Sequence, residues 1–62
     1  MANYNNVDME RFMIIQYKEQ IIIEMKKMGA SDNELLLVRE ATVRNAIRRN
    51  RRPEDVAWAI LQ

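Results

Sequence analysis

Gly29 and Pro53 are the only strong helix breakers in this chain, and they divide its 62 residues into three stretches of helix-favouring composition. Three helices are therefore expected, in an all-α fold. The first is predicted over about residues 6–28. Asn5 or Asn6 offers a capping side chain, Asp8 and Glu10 would occupy the first turn where the helix dipole favours negative charge, and Lys26 and Lys27 suit the last. Gly29 can take the left-handed conformation that closes a helix just past its C-cap. Ser31 and Glu34 have the spacing of a capping box, which starts a second long helix at Asp32. That helix is predicted over about residues 32–50, with Glu40 and Arg44 placed as an i,i+4 ion pair. A short third helix over about residues 53–61 opens on Pro53, whose missing N–H suits a first helical position. It needs Val56, Ala57, Ile60 and Leu61 packed on the rest of the chain to persist.

The apolar residues of this single domain (residues 1–62) exceed what one small core can use. They cluster at Phe12-Met13-Ile14-Ile15, Ile21-Ile22-Ile23 and Leu35-Leu36-Leu37-Val38. At helical spacing Ile14, Tyr17, Ile21, Met25 and Met28 form the core stripe of the first helix, flanked by Ile15 and Ile22, while Phe12 and Ile23 face elsewhere. In the second helix Leu35, Leu36, Val43, Ala46 and Ile47 share a face, and Leu37 and Ala41 project from the other side. Met9, Met13, Met25 and Met28 are expected to fill gaps in the bundle. A domain of this size buries only about 60% of the surface its unfolded chain exposes. Disulfides and the usual zinc sites cannot compensate, because the chain has no cysteine and no histidine. Oligomerisation is the remedy that remains, so a homodimer is expected, with a tetramer possible, joined through Phe12, Ile15, Ile22, Ile23 and Leu37. The alternative is a scatter of singly exposed apolar side chains, which is ordinary on protein surfaces.

Catalysis needs a nucleophile, a tuned acid or base, or a metal, and the residues for these are scarce. Ser31 is a helix cap, Thr42 is the only threonine, and one glycine does not make a phosphate loop. The carboxylate pairs Asp8/Glu10 and Asp32/Glu34 are two residues apart, a spacing that does not join side chains on a helix. No enzymatic activity, cofactor or metal is expected. The net charge of +1 commits the whole chain to no polyanion. Its distribution is uneven, for Arg44, Arg48, Arg49, Arg51 and Arg52 fall within nine residues that contain no acid. Guanidinium groups bind phosphate or carboxylate bidentately, and Asn45 and Asn50 could add contacts to bases or phosphates. The same arginines also suit a helix C-terminus, or pairing of Arg51 or Arg52 with Glu54, Asp55 and acids of the first helix. Trp58 reads as a packing or interface anchor.

Two stretches resemble known helical modules. Gly29 to Leu35 followed by Thr42 to Arg49 resembles the two halves of a helix-turn-helix, about three residues short between them, with Arg39-Glu40 where that motif turns on a small residue. On that spacing the segment reads as one unbroken helix. Met28-Gly29, Ala46-Ile47, Asn50 and Val56 to Leu61 resemble ubiquitin-associated domains, which are three-helix modules. The predicted middle helix is about two turns longer than theirs, and Ala30 follows the glycine where they carry an aromatic residue. Neither resemblance assigns a family.

With no basic, apolar leader and no uncharged apolar run near the ~20 residues of a membrane span, a cytoplasmic protein is expected. The sequence thus predicts a small helical interaction protein, a regulator or adaptor docking onto a protein partner as a homodimer. The alternatives are a nucleic-acid-binding regulator using the arginine cluster and a purely structural assembly element.

Overall fold

The computed structural model describes the backbone of residues 2–62 and the side chains of residues 9–62. Four helices follow in order: α1 (Ala2–Lys27), α2 (Asp32–Leu35), α3 (Glu40–Arg48) and α4 (Pro53–Ile60). At about 1.5 Å per residue the 26 residues of α1 account for most of the longest dimension, 43 Å. The much shorter α3 and α4 each pack on α1, α4 making the larger contact. The core is one cluster: Ile14, Ile21 and Met25 from α1, Val38, Val43 and Ala46 from α3 and the turn before it, and Val56 and Ala57 from α4. Tyr17, Ile22, Leu35, Ile47, Ile60 and Leu61 close its rim.

Three predicted boundaries hold for the physical reasons given. At the end of α1, Gly29 has φ 84°, its N–H donates to the carbonyl of Lys26 (3.0 Å), and the Ala30 N–H donates to that of Met25 (3.0 Å). This is the Schellman arrangement, and Ala30 packs on the core beside it. The capping box forms, with the Ser31 N–H donating to Glu34 Oε1 (2.8 Å) and the Glu34 N–H to Ser31 Oγ (3.3 Å). Pro53 opens α4.

The predicted second long helix is interrupted. Residues 36–39 turn through i→i+3 bonds from Leu36, Leu37 and Val38 to Asn33, Glu34 and Leu35, and Arg39 is extended (φ −94°, ψ 157°) ahead of α3. A straight helix would set Val38 and Val43 about 140° apart at 100° per residue, too wide for one small core. The break lets both be buried. It also leaves Leu36 76% exposed, so Leu36 is not on the core face.

Other expectations change at α1 and at the helix ends. The first helix starts at Ala2 rather than near residue 6, so Asp8 and Glu10 are not in its first turn; the caps proposed at Asn5 and Asn6 concern side chains outside the described residues. α3 ends at Arg48, with Asn50 at φ 52°, the Asn50 N–H donating to Ile47 (3.1 Å) and the Arg51 N–H to Ala46 (2.9 Å). This second Schellman closure uses asparagine where α1 uses glycine. α4 stops at Ile60, one residue short of the expected end. Of the four methionines expected to fill gaps, Met25 alone is buried, because Met9, Met13 and Met28 lie off the contact face or past the helix end. No helix among the described residues is long and apolar enough to cross a membrane.

Candidate interaction surfaces

On the side of α1 away from α3 and α4 lies an uncharged stripe. At 100° per residue Met9, Phe12, Met13, Gln16, Gln20 and Ile23 fall within an arc of about 100°, opposite Ile14, Ile21 and Met25, and Glu10, Arg11, Lys18 and Glu19 all fall outside it. All six side chains are exposed, Met9 by 61% and Phe12 by 58%. Met9, Met13, Gln16, Gln20 and Ile23 are spaced four, three, four and three residues apart, the seam spacing of paired helices. Of the residues expected at an oligomer interface, Phe12 and Ile23 belong to this stripe. Ile15 is 57% exposed but lies on the flank, lining a shallow cleft with Arg11, Lys18 and Glu40. Ile22 is half-buried and packs against the core, and Leu37 is exposed on the turn before α3. On α1 the expected residues thus divide between two sectors, Phe12 and Ile23 in the stripe and Ile15 and Ile22 on its flank. Trp58 is exposed on α4, opposite Val56, and packs no core.

The arginines divide by their partners. Arg44 lies between Glu40 (Nη2 to Oε1, 3.1 Å) and Glu10 (Nε to Oε1, 3.7 Å). Arg52 is held by Glu54 (Nη1 to Oε1, 3.4 Å) and Asp55 (Nε to Oδ2, 3.5 Å) across the start of α4. Among the described residues no carboxylate lies within ion-pair distance of Arg48, Arg49 or Arg51. The exposed pairs contribute less than about 1 kcal/mol each, so they orient side chains more than they stabilise the fold. Because Val43, Ala46 and Ile47 turn inward, Ala41, Thr42, Arg44, Asn45 and Arg48 of α3 and its C-cap residue Arg49 face outward with no large apolar group among them, and the exposed Glu40 at the helix start is taken up by Arg44.

Between that face and α4 is a cleft of about 240 Å³ lined by Thr42, Asn45, Arg49, Arg51, Ala46 and Val56. Sequence reasoning singled out the arginines and Asn45 but not Thr42. The i, i+3, i+7 spacing of Thr42, Asn45 and Arg49 carries the signal, and it emerges only once the α3 core face is known. Asn50, proposed from the sequence as a contact residue, also makes the α3 closure through its backbone. Nearby, the Tyr17 hydroxyl is buried without a hydrogen-bond partner, and burial pushes its pKa above the ordinary value of 10.0. Arg51 opposes that rise and Asp55 adds to it. Among the described residues no group of three or more carboxylates is placed to hold a metal ion.

Fold and surfaces define a small all-helical protein with one uncharged helix face and one basic helix face. No protein family, characterised protein or solved structure matches the chain.

Proposed function

We propose that this chain is a small non-enzymatic interaction protein, a regulator or adaptor that docks onto protein through the outer face of α1, its first partner being a second copy of itself. The observation that carries this reading is the uncharged stripe from Met9 to Ile23, turned away from the chain's own core. Its four-three spacing fits one more helix rather than a broad surface. An antiparallel copy in register would set Met13 against Ile23 and Gln16 against Gln20, so the side-chain amides in the middle could pair and fix the alignment. Phe12→Glu combined with Ile23→Glu tests it, since neither side chain touches the core. A dimer that becomes a monomer by sedimentation supports the reading, and an unchanged association state contradicts it. Ile22→Glu is a poor probe because it would also wound the core.

A second reading, compatible with the first, is that the α3 face binds nucleic acid. Interfaces between proteins concentrate aromatic, methionine and other apolar side chains at their centre, whereas nucleic-acid interfaces are polar and strongly positive. The α3 face, where Arg48 and Arg49 have no carboxylate partner among the described residues and Arg51 lies beyond them in the chain, is of the second kind. Retardation of a duplex or single strand at low salt, with log affinity falling by about 0.9 per phosphate for each log unit of salt on duplex DNA, is the expected result. Absence of any retardation would remove this reading.

A further inference from the structure

The geometry points to the cleft between α3 and α4 as a seat for one backbone phosphate of a nucleic acid, gripped by Arg49 and Arg51 and oriented by Thr42 and Asn45. This inference rests on the nucleic-acid reading of the α3 face. Four side chains with complementary roles converge there. Arg49 and Arg51 bring two positive charges without a carboxylate partner among the described residues, the Thr42 hydroxyl and Asn45 amide add neutral donors, and buried Ala46 and Val56 form an apolar floor. Guanidinium groups suit phosphate because their paired N–H donors match its oxygens. The frame is held independently of any ligand. Thr42 and Asn45 stand on one side of α3, Arg49 is its C-cap residue, and the Arg51 N–H donates to the Ala46 carbonyl at 2.9 Å. At about 240 Å³ the cleft is smaller than the ~300–1,000 Å³ typical of sites for drug-sized molecules. A single tetrahedral group fits that scale, with the rest of the strand running along Arg48 and the exposed side of α3. A carboxylate would satisfy one guanidinium as well as a phosphate does. It leaves fewer acceptor oxygens for a second guanidinium, a hydroxyl and an amide together.

The test is fluorescence anisotropy with a short labelled duplex and a labelled single strand at several salt concentrations, with inorganic phosphate titrated separately by amide NMR. Arg49→Gln and Arg51→Gln should each weaken nucleic-acid binding about tenfold and reduce the salt slope by about 1. Thr42→Val, which keeps shape and charge, should weaken it several-fold at an unchanged slope. Lys26→Gln, the same loss of charge on α1, should change little, and circular dichroism verifies that each variant folds. Cleft variants that bind like the wild type while Arg48→Gln weakens binding would overturn the cleft and leave the nucleic-acid reading standing. A wild-type chain that retains neither strand form overturns both. Phosphate shifting the Thr42 and Asn45 amides without any oligonucleotide binding would overturn the backbone assignment in favour of a free phosphate.

Discussion

Asn50 sits at a positive φ of 52°, a conformation that costs most L-residues about 1–2 kcal/mol and that asparagine tolerates better than most. Asn50→Ala should therefore lower stability by about 1 kcal/mol, whereas Asn50→Gly should hold it within a few tenths, as urea midpoints would show. Gly29→Ala isolates the same backbone effect. A Cβ at Gly29 would meet nothing within 4 Å, so its cost of about 1 kcal/mol is conformational and not steric. At Tyr17 the buried hydroxyl lacks a partner, so removing it exposes nothing unsatisfied. Tyr17→Phe is expected to be neutral or slightly stabilising at pH 7. Because burial raises the Tyr17 pKa, the unfolded chain loses that proton first as pH climbs past about 10, and stability falls from there upward. The Phe variant should flatten that alkaline decline in a series of unfolding curves; an identical decline would show that Tyr17 is not its source.

Helix ends marked by local chemistry were legible before the structure, because Gly29, the Ser31/Glu34 box and Pro53 each act through backbone groups a few residues away. The break at residues 36–39 was not, since no glycine or proline marks it. Burial of Val38 together with Val43 overrides a run of good helix formers, a decision made by tertiary packing. Asn50 carried a weak signal that was read as a binding contact and not as a helix closure. The arginine cluster was visible as a string. Which of its members are engaged by Glu10, Glu40, Glu54 and Asp55, and the inclusion of Thr42, depend on how α3 is rotated. If packing sets the break, Val38→Ala should cost about 2 kcal/mol and Leu36→Ala less than about 0.5 kcal/mol in chemical denaturation. The reverse order, with Leu36→Ala costing more than Val38→Ala, would instead fit one continuous helix, in which Leu36 shares the face of Val43 and Val38 does not.

Across the whole molecule, α1 is too long for the partners it has within the chain. α3 and α4 cover one side of it, and among the described residues eight buried ones form the core. Phe12, Ile23, Met9 and Met13 are left facing water on the other side, with Leu36, Leu37 and Trp58 exposed elsewhere. A second copy of α1 would cover the stripe and add apolar burial to a chain small enough to need it. The same pairing would present two α3 faces on one assembly and so raise avidity for a polyanion without new contacts. Sedimentation equilibrium of the wild type beside the Phe12→Glu/Ile23→Glu variant is the most direct measurement of this claim. A dimer for the wild type and a folded monomer for the variant is the predicted result, whereas a wild-type chain that remains a folded monomer at high concentration contradicts it.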